Sequence, residues 1–134
     1  AELIMRMDAH WARWLEEGRQ LVITHGIIAT NPQEHAVSRV PGEARFSVEI
    51  RADSQETLSG FHALLQTEAQ AVAQMRGVAF SFDEAIINRP APMDARWISR
   101  LENLCEQAGI AQMRLASGAG HDAAVFAHSG VPTA

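Results

Sequence analysis

The 134-residue sequence contains no lysine, a single cysteine and no long uninterrupted apolar run. All eleven cationic residues are therefore arginines. They are spread along a chain of formal net charge −5, which argues against a nucleic-acid-binding surface. The lone Cys105 excludes an intramolecular disulfide and a cysteine-based metal cage, and it fits a cytoplasmic setting. Because no apolar run approaches about 18 residues, the sequence predicts no membrane-spanning segment.

Apolar spacing predicts helices and strands along the whole chain. Helical spacing covers residues 2–17, a long segment that Asp53 or Ser54 caps and Gly77 ends, a third segment from Asp94 to Gly109, and a short last helix after His121. In the long helix the predicted apolar stripe is Leu58, Phe61, Leu65, Val72 and Met75. In the third helix the predicted buried face is Trp97, Ile98, Leu101, Leu104 and Cys105.

Strands are predicted at 20–29, 44–52, 78–87 and 111–117, with an irregular connection at 30–43. Strict alternation over 44–52 puts Phe46, Val48 and Ile50 on one face and Arg51 on the other. Two helices covering one face of a mostly antiparallel sheet is the natural architecture for residues 1–90, which gives an α+β class. The proline-rich stretch 88–92 is the best domain boundary. Neither terminus has a polar fringe, so we expect a piece of a longer protein.

The histidines offer no metal-binding spacing. None of the six forms an HxxxH or HExxH pattern, and His121 is the only histidine directly followed by a carboxylate residue, Asp122. The glycine-rich stretch from Ser117 to Gly120 lacks the P-loop and GxGxxG patterns. It is either a plain strand-to-helix turn or a place where backbone amides and one imidazole meet a small polar ligand.

Arg51 also allows two interpretations. It belongs either to a solvated row of charges with Glu49 and Arg45, or to a site where a planar guanidinium grips a carboxylate with two hydrogen bonds. The residue pattern alone favours the row of charges.

Two motifs, VPGEARFSVEIR (40–51) and SGAGHDA (117–123), change that balance when they are considered together. In this order they resemble the amidases of the hydantoinase/carbamoylase family. That family includes N-carbamoyl-L-amino-acid hydrolases, allantoate amidohydrolases and β-ureidopropionases, within a zinc metallopeptidase-like superfamily. The resemblance covers essentially the whole sequence.

The resemblance implies a metal-dependent amidohydrolase that cleaves a non-peptide C–N bond of an N-carbamoyl amino acid or a related ureido or amide compound. Residues 1–90 would form a ferredoxin-like lid and dimerisation domain without its first strand. Residues 91–134 would begin the C-terminal part of the catalytic domain as a partial α/β segment. The family's divalent metals, zinc or manganese, and its catalytic residues would lie outside this sequence, so this piece alone would be inactive.

The resemblance also implies a substrate-binding set within the sequence. Arg51 falls on the arginine that pairs with the substrate carboxylate, and Gly120 and His121 fall on a substrate-contact loop. Ser38 stands where the family commonly has asparagine, a departure that leaves its contact open. The partners implied are a small carboxylate-bearing substrate and a second copy bound through the lid. The alternative from another class is a self-contained ferredoxin-like module that binds small carboxylates or dimerises without catalysis.

Overall fold

The computed structural model describes all 134 residues and confirms the α+β class. Its elements follow in chain order, with a single 3-10 turn at Pro32–Glu34 between the second and third strands. They are α1 (Glu2–Glu16), β1 (Leu21–Thr24), β2 (Ile28–Thr30), β3 (Ala44–Phe46), β4 (Glu49–Ala52), α2 (Gln55–Arg76), α3 (Ala95–Gln107) and α4 (Asp122–His128). No helix is both long enough and apolar enough to cross a membrane.

The four strands form one long hairpin that a bulge interrupts. β1 pairs antiparallel with β4, and β2 pairs antiparallel with β3. Between the two ladders, residues 25–27 on one arm lie opposite only residues 47–48 on the other. The Ser47 backbone N–H donates to the Ile27 carbonyl at 2.9 Å, and the Ile27 N–H donates to the Ser47 hydroxyl oxygen at 2.9 Å. The extra residue on the first arm is a β-bulge, and it divides each of the strands predicted at 20–29 and 44–52.

One face of this hairpin carries the core. Leu21 is buried, and the other inward-facing side chains of β1 and β4, among them Ile23, Ile50 and Ala52, are partly buried against α1 and α2. The alternation predicted for 44–52 is confirmed, because its even-numbered residues from Phe46 onward are half-buried while the odd-numbered ones are exposed. The structure therefore shows two helices on one face of an antiparallel hairpin.

Aromatic and apolar side chains from α1 and α2 interlock over that face. Met7 and Phe61 are fully buried, and Trp14 meets Phe61 edge-on with ring centroids 5.1 Å apart. A Cβ added at Gly60 would come within 3.1 Å of the Trp14 ring, so a glycine in mid-helix lets α1 approach α2 closely.

The ends of α2 follow the expected chemistry. The Ser54 hydroxyl oxygen accepts from the Thr57 N–H at 3.1 Å, and Gly77 ends the helix at a positive φ of 65°. Most of the predicted stripe is buried or half-buried. Met75 is the exception, with 61% of its surface exposed, because the stripe runs past the end of the core at that turn.

Two predicted strands do not form. Residues 78–87 and 111–117 have no ladder partner, so the sheet has no third strand and residues 91–134 contain two helices but no α/β pairing. A strand needs a neighbour to satisfy its backbone N–H and C=O groups, and alternation alone does not supply one. Phe80 packs partly against the core, whereas Ile86 is 93% exposed and Leu115 81% exposed.

The prediction that one face of α3 is buried is also wrong. Trp97, Leu101 and Leu104 stay about half exposed, and Ile98 and Cys105 are only partly covered, because no element of the chain packs along this face. The helix itself forms as expected, and the Asp94 carboxylate caps it by accepting from the N–H groups of Arg96 and Trp97.

Candidate functional site

Arg51 connects the hairpin to the glycine-rich loop. It lies on the solvent-facing side of β4, directly opposite Val22 of β1. One terminal nitrogen of its guanidinium donates to the Gly118 carbonyl oxygen at 2.9 Å, and the other donates to a Glu49 carboxylate oxygen at 2.7 Å. Two motifs 67 residues apart in sequence thus meet at one side chain.

Arg51 and Glu49 each stabilise the charged form of the other. The Glu49 carboxylate raises the pKa of Arg51, and the guanidinium holds the pKa of Glu49 below its usual range. Both side chains are about half exposed, at 45% for Arg51 and 55% for Glu49, so water screens the attraction strongly. A guanidinium has five N–H donors, and only two are used here. Three N–H donors of Arg51 therefore have no partner within the chain.

The glycines of the loop are not required by the chain's own geometry. Neither Gly118 nor Gly120 has a positive φ, and a Cβ added at either would meet nothing within 4 Å. Ser117 closes the loop through its hydroxyl, which donates to the Ala119 carbonyl oxygen at 3.2 Å. The space beside both glycines is open.

His121 and Ser38 stand apart from this contact. His121 is the N-cap residue of α4, with extended backbone and an exposed side chain that makes no hydrogen bond. Ser38 lies in an exposed turn that the Arg39 N–H closes by donating to the Ala36 carbonyl at 3.2 Å, and its hydroxyl has no partner either. Of the four predicted binding residues, the structure joins Arg51 to the glycine loop that carries Gly120 and His121. It leaves Ser38 unconnected.

The Gly118 carbonyl was missed by sequence reasoning. The direction of a backbone carbonyl depends on loop conformation and not on the residue type, so the sequence carried no signal for it. For a metal the residues do not fit, since no three histidine, cysteine or carboxylate side chains come together.

Comparison with known proteins gives clear relatives, although no family model matches the chain. It is 31% identical over 116 residues to allantoate amidohydrolase of Escherichia coli strain K12, a match covering 87% of this chain and 28% of that protein. It is 33% identical over 84 residues to N-carbamoyl-L-amino-acid amidohydrolase of Rhizobium meliloti, covering 63% of this chain and 20% of the relative.

Solved structures agree with these relatives. A protein from Burkholderia cenocepacia described as an amidohydrolase/peptidase superposes with a TM-score of 0.86 at 28% identity, over 99% of this chain and 31% of its own. A hydantoinase/carbamoylase family amidase from Burkholderia ambifaria shares the fold, with a TM-score of 0.83 at 23% identity, over 98% of this chain and 32% of its own.

The chain is homologous to allantoate amidohydrolases and to an N-carbamoyl-L-amino-acid amidohydrolase. It spans about a third or less of the length of the amidases it matches. The resemblance seen in the two sequence motifs is confirmed.

Proposed function

We propose that this chain supplies the carboxylate-binding part of an amidohydrolase that cleaves a C–N bond of an N-carbamoyl amino acid or a related ureido or amide compound. The names of its relatives support the reaction class, because they hydrolyse allantoate and N-carbamoyl-L-amino acids by name. Such compounds carry a carboxylate beside the bond to be cleaved, so an enzyme acting on them needs a cation that fixes this group.

The observation that carries the proposal is the contact of Arg51 with the Gly118 carbonyl at 2.9 Å. It holds a guanidinium with three unused donors beside a loop whose glycines leave open space. A substrate carboxylate on Arg51 would bring the rest of the molecule against this loop. Positioning of this kind lowers the barrier of a later chemical step by fixing the geometry of the reactants.

The neighbouring residues take complementary roles in this proposal. The partner-free imidazole of His121 is available to a polar substrate group, and Gly120 lets the substrate approach the backbone. Ser38 offers one hydroxyl donor from the far end of the hairpin. Its side chain is shorter than one that carries an amide group. Its contact requires the turn at 36–39 to approach the substrate.

In this proposal, the residues that carry out hydrolysis lie outside this chain. If the intact enzyme uses divalent zinc or manganese, its ligands lie outside this chain, because the residues here do not converge as a metal site. This chain by itself is then inactive. We propose further that residues 1–90 act as a lid and as the contact between two copies, with residues 91–134 belonging to the catalytic domain.

The test is Arg51→Gln in the intact protein, assayed on an N-carbamoyl amino acid and on the same compound with its carboxylate replaced by a carboxamide. Loss of a charge-assisted carboxylate contact costs about 2–5 kcal/mol, so we expect kcat/KM to fall about 30-fold or more on the acid. On the carboxamide the variant and the wild type should be nearly equal.

Arg45→Gln is the matched control, since Arg45 lies on the same hairpin and pairs with Glu43 in the same i, i−2 arrangement. It should leave both rates unchanged. An Arg51 variant that keeps wild-type kcat/KM on the acid would refute the proposal.

A further inference from the structure

Glu49 occupies one side of the Arg51 guanidinium. Its carboxylate oxygen lies 2.7 Å from a terminal nitrogen of Arg51, a charge-assisted hydrogen bond that occupies a donor a ligand's carboxylate could use. The two residues share the polar face of β4 because they are two positions apart in one strand. The pairing is therefore built into the strand and does not depend on a loop.

The two contacts of Arg51 differ in what a ligand can replace. The Gly118 oxygen is neutral and belongs to the backbone, so it fixes the position of the guanidinium without cancelling its charge. Glu49 is anionic and about half exposed, so it cancels much of that charge and yet has room to swing into solvent. A bound carboxylate would be repelled by Glu49 if that side chain stayed in place.

We propose that Glu49 is an internal competitor for Arg51, which the substrate's carboxylate displaces, so that Glu49 lowers the affinity of the site for carboxylates. The inference rests on the proposed function, because it requires Arg51 to bind a carboxylate. Glu49 repels an incoming carboxylate but not a neutral group, so in the wild type it lowers the affinity for acids more than the affinity for neutral compounds.

The test is Glu49→Gln in the intact protein, with the dissociation constants of acetate and of its neutral counterpart acetamide measured by ligand-observed NMR titration. Acetate carries no bond that the enzyme hydrolyses, so turnover does not disturb the measurement. Because exposed ion pairs are weak, we expect acetate to bind about two- to fivefold more tightly to the variant, with a smaller change for acetamide.

Glu43→Gln is the matched control, because it removes the same charge from the equivalent exposed pair with Arg45. Its acetate affinity should equal that of the wild type. Far-UV circular dichroism of all variants checks that the fold is kept.

The variant Arg51→Gln distinguishes the carboxylate-binding role of Arg51 from the competitor role of Glu49. If this variant binds acetate as well as the wild type does, the proposed function of Arg51 fails. If it binds acetate more weakly while Glu49→Gln is unchanged or also weaker, Arg51 keeps its role and the competitor role of Glu49 is overturned. In the weaker case Glu49 would instead hold the guanidinium in its binding orientation.

Discussion

The first 76 residues and the last 44 residues of the chain differ in what their helices cover. All nine buried residues lie between Leu3 and Val72, where α1 and α2 pack on one hairpin. The segment from residue 91 onward forms two helices and buries no residue. Two phenylalanines show the contrast, since Phe61 is fully buried while Phe126 is 53% exposed.

This contrast separates helix formation from helix packing. α3 has a capping aspartate and a clear apolar face, so its local sequence is sufficient to specify a helix. Burial requires a second surface, and only the N-terminal part of the chain provides one. The stability of this chain should therefore reside in α1, α2 and the hairpin.

The largest expected effect comes from removing the centre of that core. Phe61→Ala should lower the free energy of unfolding by about 3–5 kcal/mol, because it leaves a cavity and removes the edge-on contact with Trp14. Phe126→Ala, the same change at an exposed site, should alter it by less than about 0.5 kcal/mol. Urea denaturation followed by circular dichroism measures both. Equal losses would show that the C-terminal helices share the core's stability.

A smaller effect is expected at the ionic contact between α1 and α2. Glu68 receives hydrogen bonds from Arg6 at 2.9 Å and from His10 at 2.7 Å. Arg13 can only donate, and it lies 2.9 Å from Nδ1 of His10, so Nε2 carries the proton that reaches Glu68. Glu68→Gln should cost about 1–2 kcal/mol at neutral pH.

This contact also predicts a pH dependence. His10 and Arg6 hold the pKa of Glu68 below its ordinary value of 4.5. A lowered folded-state pKa gives stability that is fully present above pH 4.5 and is lost as the pH falls through the lowered value. Denaturation midpoints between pH 6 and pH 3 should therefore fall less steeply for Glu68→Gln than for the wild type. Arg114 also lowers the pKa of Glu102, but this pair lies in the C-terminal segment outside the core, so Glu102→Gln should not change the slope of the main transition.

The smallest expected change in stability comes from removing a helix cap, and it should differ between α2 and α3. Ser54→Ala removes the acceptor for the Thr57 N–H and should cost about 1 kcal/mol of global stability, because α2 belongs to the core. Asp94→Ala removes the cap of α3 but should leave the main unfolding midpoint unchanged. Hydrogen exchange would show faster exchange confined to α3 in the second variant. A shift of the global midpoint by Asp94→Ala would contradict the proposed independence of the two regions.

Much of the fold could be predicted because its signals are local. The alternation of Phe46, Val48 and Ile50, the cap at Ser54 and the stop at Gly77 each depend on a few neighbouring residues. The failures at 78–87 and along α3 share a cause, since each prediction assumed a packing partner that local sequence does not reveal.

The candidate site could likewise be predicted only in part from the sequence. The residues alone favoured a row of charges with Glu49 and Arg45, and the structure contains the Arg51–Glu49 pair of that row, whereas Arg45 pairs with Glu43. The resemblance singled out Arg51 and the loop motif. The contact between them depends on the Gly118 carbonyl, which only the folded chain reveals.

The bulge at residues 25–27 decides which residue of the first arm lies opposite Arg51. If the pairing of Ile28 with Phe46 continued without the extra residue, Arg51 would lie opposite Ile23 and not opposite Val22. Residues directly opposite each other share a face, and Ile23 faces the core. Either the guanidinium would enter the apolar interior or Ile23 would turn to water. One additional residue thus keeps the apolar side chains of both strands on one face while Arg51 stays on the other.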